Sequence, residues 1–237
     1  MPSTTAAIWP SQFATPSKTG RPVRNFTNTG QNMSDEAKSP SAARPRRTQA
    51  ERSQETRSKV CEATLQALVE VGYEQISTTL IAQKAQVSRG ALTHQFPTRN
   101  DMLVAAFEKL VGEWREGYPF GLDPDKEQLS VDELIDALWN NIFAEGRYIA
   151  AMELMLAARQ DNELGHALRD ILVSWIRKRD RITVRLIGGD VDDAEADLKV
   201  QLHLSVLRGI AMHQSFDSDP QTANKLIDLW KRIARKA

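Results

Sequence analysis

The stretch from Ser77 to Asp101, STTLIAQKAQVSRGALTHQFPTRND, constrains the fold more than any other part of the 237-residue chain. Leu80, Ile81 and Ala85 share one face of a short helix expected over Thr78 to Ala85, with Thr78 as its N-cap. A turn around Gln86 and Val87 ends it. Ser88 then supplies an N-cap hydroxyl to a second helix, Arg89 to Gln95, which Phe96-Pro97 stops because proline removes a donor and disfavours helical geometry in the residue before it. Two short helices about a tight turn form a helix-turn-helix. The second is basic at its start and rich in small residues, which suits entry into the major groove of DNA: little bulk stands in the way, and N-terminal N–H groups favour phosphate.

Flanking elements read clearly. The spacing of Val60, Thr64, Ala67, Leu68 and Val71 predicts a helix from Gln49 to Val71, closed by Gly72. Thr98 and Asp101 form the pattern of a capping box opening a helix from Arg99 to Glu116. Pro119, Gly121 and Pro124 interrupt the chain, and five further helices are expected at Ser130 to Glu145, Arg147 to Gln160, Asn162 to Ile187, Ala194 to Phe216 and Pro220 to Lys236. Residues 1–47 are rich in Pro, Ser, Thr, Asn and Gly without a helical or alternating period. They are expected to be disordered and to end in a basic arm at Arg44, Arg46 and Arg47, either a solvated charge run or a contact to the minor groove or phosphate. Met33 is a second candidate start, and no secretory signal pattern is found.

Net charge is zero but unevenly placed. Residues 1–99 hold 13 Lys/Arg against 7 Asp/Glu, and the remainder therefore holds 18 against 24, from totals of 31 and 31. The first part is built to meet a polyanion. A single cysteine, Cys61, excludes an intrachain disulfide and a thiolate metal site, and suits a reducing cytoplasm, where the protein is expected to work. Next to the apolar stripe of its helix, it reads as a buried structural thiol. No apolar run is long enough to cross a membrane.

Residues 50–110 resemble the DNA-binding domain of the tetracycline-repressor (TetR) family of transcriptional regulators. Gly72-Tyr73, Thr78, Ile81-Ala82, Ala85, Val87-Ser88, Gly90, Leu92, Phe96, Arg99 and Leu103 occur in the family's order and spacing. The chain departs from the family at Gln86, in place of a turn glycine, at Thr93, in place of tyrosine, and at Arg99, in place of lysine. A glycine replaced at such a turn leaves Gln86 at positive φ, a strain on the order of 1 kcal/mol. The resemblance implies an all-α protein with an N-terminal three-helix DNA-binding domain over 48–98 and a helical ligand-binding and dimerisation domain over 99–237, of which 99–118 is a connecting helix. It also implies a homodimer through a four-helix bundle of the last two helices and their copies.

The expected function is that of a sequence-specific DNA-binding regulator, a homodimeric repressor released from its operator by a small molecule. Thr79, Arg89, Gly90, Ala91 and His94 are expected at base edges, and Thr78, Ser88, Thr93 and Arg99 at the DNA backbone. Trp139, Phe143, Met152, Met155, Arg159, Trp175, His203 and Met212 are candidates for an effector pocket, with plain core as the alternative for each. Arg159 and Arg208 are candidates to pair with an anionic ligand, or with Glu153 or Glu163. An enclosed cavity would favour ligand control, and a solid core a regulator without it. Catalysis is the alternative class, but His94, His166, His203 and His213 show no nucleophile partner or metal-ligand spacing, so no cofactor or metal is expected.

Overall fold

Nine α-helices make up the regular structure of the computed structural model, which describes residues 48–217, 219 and 221–235; no strand occurs among them. They are α1 (Gln49–Val71), α2 (Thr78–Lys84), α3 (Arg89–Gln95), α4 (Arg99–Glu116), α5 (Val131–Leu138), α6 (Gly146–Ala157), α7 (Asn162–Leu186), α8 (Ala194–Gln214) and α9 (Thr222–Ala234). The extension expected to be disordered, the basic arm and the alternative start at Met33 lie outside the described residues, as do the expected limits of α9 at Pro220 and Lys236.

Local chemistry sets most helix ends. Thr48 and Glu51 close a capping box on α1, Thr98 and Asp101 one on α4, and Ser130 and Glu133 one on α5. Each satisfies two backbone donors that the first turn of a helix leaves without partners. Gly72 stops α1 at φ 74°, where a side chain would be strained, and its N–H still reaches the Leu68 carbonyl at 3.1 Å. The cap of α2 is Ser77, whose hydroxyl accepts from the Leu80 N–H at 3.2 Å, so the expected cap, Thr78, is instead the first helical residue.

The expected helix from Ser130 to Glu145 is not uniform. It widens after Leu138 into a π-helical turn, Trp139–Phe143, where the Ala144 N–H bonds the Trp139 carbonyl at 2.9 Å. The extra residue per turn lets Trp139, Ile142 and Phe143 all face the core while Asn140 and Asn141 stay exposed.

Helix α4 is the axis of the packing. It buries Met102, Leu103, Ala106, Phe107, Leu110 and Val111 between α1 on one side and α7 on the other. Helix α1 also packs on α2, α3 and α6, so the helix-turn-helix is seated on the rest of the fold through one long element. Outside this core, Glu62 of α1, Lys109 and Glu113 of α4, and Arg147 of α6 form a four-residue ion network; Lys109 meets Glu62 at 3.1 Å and Arg147 meets Glu113 at 2.9 Å. Lys109 also pairs with Glu113, and Arg147 with Glu62. At the other end of the bundle, Asp132 and Asp136 of α5 pair with Arg235 and Lys231, which ties α9 down. Cys61 is buried, and burial pushes its thiol up, away from the thiolate.

Candidate functional site

Helix α2 ends in a motif that fixes the angle to α3. The Val87 N–H reaches back to the Ala82 carbonyl at 3.0 Å and the Gln86 N–H to the Gln83 carbonyl at 3.1 Å, the paired bonds of a Schellman turn. That turn requires a left-handed residue between them, and Gln86 supplies it at φ 55°. The expected strain is therefore present, held in place by both bonds and by buried Ile81, Ala82 and Ala85.

Ser88 caps α3, its hydroxyl accepting from the Ala91 N–H at 3.1 Å. One face of α3 anchors it: Leu92 is buried, Gln95 donates to the Ser53 hydroxyl of α1 at 2.6 Å, and buried Phe96 lies under the Arg57 guanidinium at 4.9 Å. The opposite face carries Arg89, Gly90, Thr93 and His94, all exposed, with Ala91 at its margin. Arg89 has no ion-pair partner among the described residues. A Cβ built on Gly90 would meet nothing within 4 Å, so nothing inside the protein demands a glycine there. What it leaves is a notch on the outward face. Thr93 donates its hydroxyl proton to the Arg89 carbonyl at 2.9 Å, which leaves its oxygen only as an acceptor. Thr79 is exposed and Thr78 half-buried at the start of α2.

Arg99, expected at a phosphate, makes contacts inside the protein. Its guanidinium spans two carbonyls of the α1–α2 loop, Tyr73 at 2.5 Å and Ile76 at 3.1 Å, and stacks on the Tyr73 ring at 4.2 Å. The same loop is held from the other side, where the Tyr73 N–H donates to the Glu153 carboxylate of α6 at 3.1 Å. Sequence gave no sign of this second grip, because 80 residues separate the partners. Arg99→Ala is expected to cost about 2–3 kcal/mol, as two carbonyls lose a charged donor. Arg99→Lys recovers only part of it, since an ammonium lacks the planar fork. Thermal melts of the two variants check this, and an unchanged Arg99→Ala melt would show that the loop stands without the clamp.

None of the expected effector residues lines either of two surface clefts, one along α7 and one between α4 and the π-helical turn. Trp139, Phe143 and Trp175 are buried. Trp175 meets Phe120 edge-on at 5.0 Å, Phe143 meets Tyr148 at 4.6 Å, and His203 meets Trp230 at 5.4 Å, so the aromatics are shared among three separate pairs. Met152, Met155 and Met212 are half-buried, and Arg159 is exposed at the end of α6. Arg208 donates to the Tyr148 hydroxyl at 2.9 Å and not to Glu153 or Glu163, and Glu153 is occupied by the Tyr73 N–H. Burial holds the His203 imidazole below its usual range, and its Nδ1 and the Trp230 Nε1 are buried without a partner among the described residues. Among those residues no three His, Cys, Asp or Glu side chains are placed to hold a metal ion, and no helix is long and apolar enough to cross a membrane.

Residues 60–106 match the family model described as bacterial regulatory proteins, tetR family. The HTH-type transcriptional regulator CymR of Pseudomonas putida is 28% identical over 200 residues, covering 81% of this chain and 95% of that one. In fold, a TetR transcription regulator from Haloarcula marismortui superposes with a TM-score of 0.60 at 18% identity, over 77% of this chain and 98% of that one. The multidrug binding protein EbrR, solved in complex with imidazole, gives 0.53 at 22% identity, over 74% and 93%. With the helix-turn-helix seated as described and its outward face exposed, residues 60–106 form a helix-turn-helix segment of the tetR-family type, in a chain similar over most of its length to HTH-type transcriptional regulators.

Proposed function

We propose that the regulator is a homodimeric repressor of the cytoplasm that leaves its operator when a small molecule binds. In this reading residues 48–98 are the DNA-binding domain and 99–237 the effector-binding and dimerisation domain, with 99–118 as the connecting helix. The observation that carries it is the outward face of α3, where Arg89, Gly90, Thr93 and His94 stand exposed on a helix locked from behind by Leu92 and Phe96. Arg89, Gly90, Ala91, His94 and Thr79 take the base edges; Thr78, Ser88 and Thr93 take the DNA backbone, while Arg99 acts mainly by fixing the loop in front of α2.

Dimerisation is supported by the last two helices. Leu198, Leu202, Ser205 and Gly209 follow one another at spacings of three and four on the exposed side of α8, and Leu229 and Ile233 do so on α9. Leu198 and Leu202 are 65% and 54% exposed, a large apolar stripe for a helix pair in water. Beside it, Gly209 has open space where a Cβ would stand, so a facing helix can approach closely. Ligand control is supported by a fold neighbour solved with a bound small molecule. A regulator without small-molecule control is favoured instead by the close packing of Trp139, Phe143 and Trp175.

Selection of bound fragments from genomic DNA, followed by footprinting, tests the function; the absence of any specific footprint overturns it. Within the selected site, Arg89→Ala is expected to remove about 1–3 kcal/mol of discrimination if the guanidinium reads a guanine edge. Equal losses on cognate and mismatched sites would assign Arg89 to phosphate.

A further inference from the structure

Between the last turn of α4 and the π-helical turn lies a cleft of about 240 Å³ that holds none of the residues expected to bind an effector. Trp114, Tyr118 and Asn141 line it together with Glu113, Glu145 and Arg147. We propose that this cleft binds a small organic cation, a substituted ammonium carried on an apolar body, and that this cation is the effector. The proposal rests on the ligand-responsive reading above and names the ligand class and its site.

Charge accounting excludes an anion. Glu62, Glu113 and Glu145 face Lys109 and Arg147, and both cations are already taken up by Glu62 and Glu113. Glu145 has no ion-pair partner among the described residues, so the neighbourhood carries one unmatched negative charge. Burial pushes the Glu145 acid upward; Arg147 opposes this and the Glu113 charge adds to it. A ligand cation would relieve both effects. The Arg147 guanidinium, bonded through Nη1 to Glu113 and through Nη2 to Glu62, has little left for a carboxylate or phosphate.

The walls suit the same ligand. Trp114 is held against the Tyr148 ring at 6.1 Å, and Tyr118 presents its ring 46% exposed at the rim. Aromatic faces attract a weakly hydrated ammonium through their quadrupole, more so as it leaves water. Asn141 spends its amide N–H on the Ala137 carbonyl at 2.7 Å, which leaves its own oxygen to accept from an N–H of the ligand. The size of the cleft, below the usual 300–1,000 Å³ of a ligand pocket, limits the occupant to a small molecule.

The route to DNA runs through Glu113, which belongs both to the cleft and to the ion network on α1. A cation beside Glu113 and Glu145 competes with Lys109 and Arg147 for Glu113 and shifts both toward Glu62, which changes the setting of α1 against α4 and α6. Helix α1 is the one that fixes α3 through Ser53 and Gln95. The ligand acts only by the difference in its affinity for the two settings of α1.

Phenyltrimethylammonium and its neutral isostere tert-butylbenzene test the site on the full-length protein by calorimetry and tryptophan emission. The cation is expected to bind roughly tenfold tighter than the isostere. Glu145→Gln, an exposed change outside the DNA-binding face, should erase that preference, and Tyr118→Leu should reduce it; melting curves confirm that both variants fold. Absence of saturable binding, equal affinity for the two probes, or an intact preference in Glu145→Gln overturns the site. In the presence of the cation, affinity for the selected DNA should fall in the wild type and not in Glu145→Gln; binding without any change in DNA affinity overturns the assignment as effector. Should no DNA fragment be bound specifically, the regulatory reading fails by itself, and the probe comparison still decides the site.

Discussion

Leu202→Arg is expected to give a folded monomer that has lost on the order of 10²–10⁴-fold in apparent affinity for its operator. The side chain is 54% exposed on α8, so a guanidinium there meets water in the single chain and little stability is lost. In the proposed four-helix interface it would stand among Leu198, Leu229 and Ile233 or their copies, and an unpaired buried charge is destabilising by several kcal/mol. One recognition helix holds too few contacts for tight specific binding, whereas two linked helices read two half-sites with the second docking made intramolecular. Sedimentation at fixed protein concentration and a DNA titration check both halves. A variant that stays dimeric would move the interface away from this stripe. One that becomes monomeric yet keeps its operator affinity would show that pairing is not the source of that affinity.

Phe96→Ala is expected to lower stability by about 3–5 kcal/mol, the usual cost of emptying a fully packed aromatic site. The ring is 1% exposed at the end of α3 and sits under Arg57, where the chain turns sharply into Pro97. Its loss opens a cavity where α3 is fastened to α1, beside the Gln95–Ser53 bond, so the recognition helix loses much of its seat before the rest of the fold does. For a chain of this length the melting temperature should fall by roughly 6–20 °C, with DNA binding lost at a lower temperature than the main transition. Phe96→Leu keeps most of the volume and should lose less than half as much. A fall of less than about 1 kcal/mol for Phe96→Ala would contradict the packing seen around the ring.

The legible parts of the sequence share a physical property: each depends on groups within a few residues of one another. The capping box of Thr98 and Asp101, the stop at Gly72, the end of α3 before Pro97 and the left-handed Gln86 are all decided by hydrogen bonds or steric limits local to the chain. For the same reason the outward face of α3 was legible from Ser88 to His94, since helical spacing alone separates it from Leu92 and Phe96. The cap of α2 was displaced by one residue because Ser77 and Thr78 carry equivalent hydroxyls, and only the extended backbone of Ser77 selects between them.

The candidate effector site was legible far less well. Trp139, Phe143, Trp175 and His203 have the chemistry of a pocket, but the same side chains fill a core, and periodicity does not distinguish the two. The π-helical turn, which sets Asn141 beside Glu145 at the cleft, has no signature in residue spacing. By itself the sequence determined where most of the helices lie, that two of them form a helix-turn-helix, and which residues that motif turns outward. Only the tertiary structure decided that Arg99 closes on the Tyr73 and Ile76 carbonyls, that Glu153 holds the Tyr73 N–H, and that Glu62, Lys109, Glu113 and Arg147 share one network. Apart from Lys109 and Glu113, which are one turn apart on α4, those partners lie tens of residues apart, and which of several available cations and carboxylates meet is set by how α1, α4 and α6 pack, a property no local pattern encodes.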